Sequence, residues 1–324
     1  MVSDSTGSYL PDECWERILK SFVKDDRRRY LNPLSLVSKQ LLSITNRLRC
    51  SLTVYDETQP FLGSLFKRFT NLTSLDMSYY RCDLDALLIQ ISCFPSLNIT
   101  SLKLPDQCTI PAYGLRALSQ NNTTLVSLTC CKNFIDEYDM LLIADCFPLL
   151  KELNLGHPLI KRPTNFFYGI HSLLSKCRII QHLDLMHACF LKDRRVAKLS
   201  LVLGDLVSIN LSECTFLTEL SLFYLVRNCP SLSEIKMECT SIGKKSFENS
   251  NSLRGFVGRP KLKSLCLAHC ELLGDQNIML FTSIFPNLEA LDLSYCNDVT
   301  EDVLKLVVEN CTQMRELRHC YSKD

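Results

Sequence analysis

The chain has 324 residues, 46% of them apolar, and a formal net charge of +1. The apolar share is ample for a folded core, but the length exceeds what one compact core serves well, so the core must divide or grow lengthwise. The near-neutral balance gives no general attraction to nucleic acid or to an anionic membrane surface, and neither is expected as a partner. Eighteen cysteines follow a polar start, Met1 to Ser8, that lacks the basic and apolar segments of an export signal. They read as reduced thiols in cytoplasm or nucleus rather than a disulfide framework. No run of 18 apolar residues occurs, so no membrane span is expected.

Residues 1–7 read as a disordered polar tail. A helix then starts at Leu10-Pro11-Asp12-Glu13, with proline at its first position and acids in its first turn. Trp15, Ile18, Leu19 and Phe22 fall on one face of it. The run Lys24 to Arg29 interrupts the pattern; Asp25 and Asp26 beside Arg27-Arg28-Arg29 make it a solvated loop rather than an anion site. Asn32 suits an N-cap and Pro33 a first helical residue, and Leu34, Val37, Leu41, Ile44 and Leu48 give a second helix its apolar face. Residues 8–48 are thus a small all-α module, too small for a large core of its own.

From residue 49 a different pattern takes over. Residues 49–71 hold an atypical capping unit, with Arg49-Leu52-Val54 in a strand frame and a short helix from Pro60 to Phe69. Residues 72–324 repeat an apolar-x-x-apolar-x-apolar segment, from Leu72-Leu75-Met77 through Leu288-Leu291-Leu293 to a degraded copy, Met314-Leu317-His319. The starts lie 25 to 30 residues apart. The alternating core makes a short strand with one buried face. A helix follows: Thr300 is placed to cap one, with Glu301 and Asp302 in its first turn and Val303, Leu306 and Val307 on its apolar stripe. Asp136 and Asp275 open others in the same way. Neither face is buried until units stack, so the expected fold is an α/β solenoid of about eleven strand units, a strip roughly 50 Å long.

The segment Leu291-Asp292-Leu293-Ser294-Tyr295-Cys296-Asn297-Asp298-Val299-Thr300-Glu301-Asp302 resembles the cysteine-containing class of leucine-rich repeats. That class places one cysteine after the strand, here read as Cys189, Cys214, Cys239, Cys270 and Cys296. It places another at the helix end, here Cys93, Cys146, Cys177, Cys229 and Cys311. The resemblance implies a horseshoe. The preceding module resembles the F-box in Leu10-Pro11-Asp12-Glu13, Ile18-Leu19 and Leu34-Ser35-Leu36-Val37-Ser38-Lys39-Gln40-Leu41, with Leu41 where the family carries an aromatic residue and a longer middle than the minimal motif. This implies that Leu10, Pro11, Ile18, Leu34, Val37, Ser38 and Leu41 meet a Skp-type adaptor and, through it, a cullin. The chain would then be the non-catalytic substrate-recognition subunit of a Skp–cullin–F-box ubiquitin ligase. The alternative is a leucine-rich-repeat protein-binding scaffold whose helical cap merely seals the solenoid.

A protein target would meet one of two regions. Residues between the two apolar strand positions face away from the core, giving a polar strip of Asp76, Lys103, Thr129, Asn154, Asp184, Asn210, Lys236, Cys266 and Asp292. The units starting at Leu150 and Leu232 are four residues longer than most, and insertions map to loops. The first carries His157 and Arg162 near Phe166 and Phe167, where the phenylalanines serve equally well as core; the second carries Arg254 and Phe256. Catalysis, cofactor and metal are not expected. Six scattered histidines give no triad logic, the few glycines form no phosphate loop, and Cys266, His269 and Cys270 lack a second ligand pair.

Overall fold

The computed structural model describes residues 10–21, 30–106, 108–160, 163–244 and 261–320. Phe22, the basic run at 27–29, Arg162, Arg254 and Phe256 lie outside them.

The N-terminal module starts with helix Asp12–Ser21, follows with a helical turn at 30–34, and ends with helix Lys39–Leu48. Leu19, Leu31, Leu41 and Ile44 close a small core of their own, with Trp15, Leu34 and Leu48 packed against it. The second helix does not run unbroken from Pro33. Asn32 and Pro33 sit inside the short turn, which tightens as Val37 N–H bonds to the Leu34 carbonyl. Ser38 is extended and its Oγ accepts the Leu41 N–H at 3.1 Å, so the chain restarts the helix on a serine cap. Arg47 crosses between the helices to Asp12 and Glu16, 2.9 Å each. Asn71 Nδ2 donates to the Arg47 carbonyl and Arg68 Nε to Asn46 Oδ1, tying the module to the first unit.

From there the described residues form one parallel sheet of eleven strands, ordered as in the chain, from Ser51–Thr53 to Glu316–Arg318. Every strand is three residues long and pairs centre to centre: Leu52 on Leu75, Leu75 on Leu102, and so on to Leu291 on Leu317. In the nine complete copies of the repeat every apolar slot is at most 3% exposed. The final, degraded copy leaves Met314 and Leu317 only partly buried. Asp136 caps its helix as expected, accepting the Tyr138 and Asp139 N–H groups. Thr300 makes no side-chain cap bond. Its N–H and hydroxyl go instead to Asp275 of the preceding unit, at 2.8 and 2.7 Å; Thr218 donates the same two groups to Asp193 while its Oγ1 also accepts the Leu220 N–H as a cap. An acid in the first helical turn of one unit thus fixes where the next helix begins. No described helix is long and apolar enough to cross a membrane.

The cysteine frame needs one correction. The buried strand-end slot lies five residues past the strand centre, and Cys214, Cys270 and Cys296 fill it, each thiol donating to a carbonyl of the preceding unit (Leu185, Met237, Leu267). In the units of Cys189 and Cys239 that slot belongs to Ala188 and Thr240 instead. Cys189 is exposed and Cys239 half-buried. At the helix end Cys177, Cys229 and Cys311 are buried, while Cys146 is half-buried and Cys93 exposed.

Burial pushes the Cys214, Cys229 and Cys296 thiols up to about 12. In the unfolded chain a thiol ionises near ~8.5. Above that pH the unfolded state binds fewer protons than the folded one, so stability is full below ~8.5 and lost as pH rises toward 12, by at most about 1.4 kcal/mol per pH unit per thiol. Urea unfolding under reductant from pH 7 to 10 should show this decline, with a shallower slope for Cys214→Ala than for the wild type.

Candidate functional site

The first candidate surface lies on the helical module. Leu19 and Leu41 turn inward, which leaves Leu10 (36% exposed), Ile18 (44%), Leu36 (87%) and Val37 (69%) facing out, with Pro11 also exposed. Gln40 Nε2 donates to the Leu10 carbonyl and to Asp12, binding the Leu10-Pro11 entry to the start of the second helix, just past Val37. Of the residues expected to meet an adaptor, Leu10, Pro11, Ile18 and Val37 are open. Leu34 is half-buried, Ser38 is exposed with its hydroxyl engaged in the cap, and Leu41, 6% exposed, is a core residue and presents no surface to a partner.

The second is the polar face of the sheet. It holds an open hollow of about 310 Å³ near Glu152, Asn154, His182, Asp184 and Glu234. The strip residues are partly spent on the fold. Asp76, Asn154, Asp184, Asn210 and Asp292 each accept, through one side-chain oxygen, the N–H two residues on, at 2.9 to 3.1 Å. These Asx-turns end the strands. The other Asp184 oxygen takes amide protons from Asn154 and Asn210 on the neighbouring strands, at 3.4 and 3.2 Å. Lys103 and Lys236 have no such role; Lys236 is exposed and, among the described residues, pairs with Glu234, at 3.6 Å. Phe166 and Phe167 are buried in helix Pro163–Lys176, so they are core and not anchors.

A third feature was not anticipated. Seven successive units place the residue four past the strand centre in the left-handed region: Lys132, His157, His187, Glu213, Cys239, His269 and Tyr295, φ from 50° to 62°. None is glycine, asparagine or aspartate, and three are histidine, which adopts it more often than most side chains. The compensation is a hydrogen bond from each of these N–H groups to a carbonyl of the next unit, 2.7 to 3.0 Å long. The side chains consequently line up along one rim. Lys132 pairs with Asp106, His157 stacks on His187, His187 meets Glu213, and His269 stacks on Tyr295. His269 therefore does not converge with its neighbouring cysteines: Cys266 turns to Glu238 and Cys270 to the core.

No family model matches the chain. Among solved structures it is similar to the complex of Rad7 and Elc1 in yeast, at 14% identity over 91% of this chain and 86% of that one, with a TM-score of 0.53. It is also similar to the leucine-rich repeat-containing protein LegL7 from Legionella pneumophila, at 17% identity over 84% of this chain and 90% of that one, with a TM-score of 0.54. The fold is a leucine-rich-repeat solenoid.

The two kinds of strip residue should separate by stability. Asp184→Ala removes the acceptor of three N–H groups and should cost roughly 1–3 kcal/mol, whereas Lys236→Ala should stay within about 0.5 kcal/mol of wild type. Urea midpoints of the two variants check this.

Proposed function

We propose that this chain is the substrate-recognition subunit of a Skp–cullin–F-box ubiquitin ligase, working in cytoplasm or nucleus. The observation that carries the reading is the split in the N-terminal module. Its helices close a core of their own yet turn Leu10, Pro11, Ile18, Leu36 and Val37 outward. A cap that only sealed the solenoid would have no use for that apolar face. Its residues coincide with the motif that resembles the F-box, and an adaptor would cover them. The likeness to a chain solved as a complex, Rad7 with Elc1, adds support from the fold.

In this reading the solenoid holds a target protein. The long strip supplies polar complementarity, with Lys103 and Lys236 the strip residues best able to give side chains wholly to a partner. The chain forms and breaks no covalent bond. It raises the local concentration of a target lysine near a charged ubiquitin carrier bound elsewhere in the complex.

Purified chain should retain a Skp-type adaptor on a pull-down. Ile18→Asp with Val37→Asp should weaken retention by about tenfold or more, because burying an unpaired carboxylate at an interface is costly. The variants should keep the wild-type circular dichroism, since both side chains are exposed. Failure of the wild type to bind, or equal binding by the variants, removes the proposal and leaves a protein-binding scaffold.

A further inference from the structure

The rim of left-handed residues brings metal-ligating side chains of three successive units to one place. The His157 and His187 rings stack with centroids 5.0 Å apart and planes 23° apart. His187 Nδ1 lies 3.0 Å from Glu213 Oε2. One ligand atom from each of the three residues falls within 4.8 Å of the others. This closeness follows from the fold. Adjacent parallel strands lie ~4.8 Å apart, so side chains leaving the same backbone position of neighbouring units emerge side by side at about that spacing.

The three backbones are also held. His157 N–H donates to the Met186 carbonyl at 2.7 Å, His187 N–H to Ser212 at 2.8 Å and Glu213 N–H to Glu238 at 2.8 Å. Only side-chain torsions remain to adjust. A site whose ligands stand on fixed main chain loses little freedom when it closes.

We propose that His157, His187 and Glu213 bind a divalent transition-metal ion of the zinc type. Two imidazoles and a carboxylate match the donor set of that ion, while calcium and magnesium favour oxygen ligands. Metal–ligand bonds of ~2.0–2.2 Å place tetrahedral ligand atoms about 3.3 Å apart. The ligand atoms, at most 4.8 Å apart, therefore close in by roughly 1.5 Å at most, and His187, half-exposed, and the half-buried His157 and Glu213 have solvent beside them in which to turn. The His187–Glu213 hydrogen bond gives way as both atoms turn to the metal. Three protein ligands leave a fourth position open to water or to a donor atom from a bound molecule. Cys239, the next residue on the rim, is not in the group of ligand atoms that lie within 4.8 Å of one another.

The test is a Zn²⁺ titration of the full reduced chain by calorimetry, with a parallel Co²⁺ titration followed by absorption. Wild type should show one specific zinc site. His157→Ala, His187→Ala and Glu213→Gln should each weaken it by about tenfold or more, and Cys189→Ala and Cys239→Ala should leave it within about twofold. Bound Co²⁺ should show ligand-field bands without the intense charge-transfer band of a thiolate. Circular dichroism of each variant guards against misfolding, and Glu213→Gln, nearly isosteric, serves if a histidine variant fails to fold. Zinc uptake unchanged in the three ligand variants, no uptake by wild type, or a thiolate band that persists in His187→Ala overturns the proposal.

Discussion

Each strand–helix unit of this chain carries an apolar face that it cannot cover, and everything else in the structure depends on the next unit covering it. A three-residue strand with one central leucine or isoleucine buries almost nothing alone. Stacked in centre-to-centre register, those residues join the flanking apolar slots and helix stripes in one continuous core. Hydrophobic burial of this kind is nondirectional, so it does not by itself set the register. The polar groups do that. Thr218 and Thr300 are held by acids one unit back, buried thiols donate to carbonyls one unit back, and left-handed N–H groups reach one unit forward. Each unit is specified by its neighbours on both sides.

The same constraint decides where recognition can happen. Side chains on the inner strip are close to the backbone and are recruited to end the strands, which leaves a polar, partly committed surface. The rim is different. Its backbone is locked by the unit-to-unit hydrogen bonds, while its side chains point outward in a file at strand spacing. Rigid backbone beneath variable, outward side chains is the arrangement a binding surface needs.

The strand frame was legible in the sequence because burial imposes a strict pattern: wherever a complete apolar triplet stands in sequence, a strand with a buried centre stands in the structure. The turns were less legible. Cys189 and Cys239 stood near the expected slot, but a small residue of any kind fills it, and Ala188 and Thr240 do so. The left-handed rim gave little compositional signal, since of lysine, histidine, glutamate, cysteine and tyrosine only histidine favours that region; aligning the units on their strand centres reveals the shared position. Asp76, Asn154 and Asp184 looked like free contacts because a sequence does not show that each strand ends on that residue. In the helical module the apolar period through Leu34 to Leu48 hid the break at Ser38, whose extended backbone and Oγ cap start the helix anew.

The chain joins two parts: a helical module with an outward apolar face, proposed to receive an adaptor, and a solenoid whose polar face stays open. Hydrogen exchange of the full chain with and without a Skp-type adaptor tests that division most directly. The account predicts new protection confined to the backbone around residues 10–18 and 34–38, with the strand amides from Leu75 onward unchanged. Protection spread along the solenoid, with none gained in the module, would contradict it.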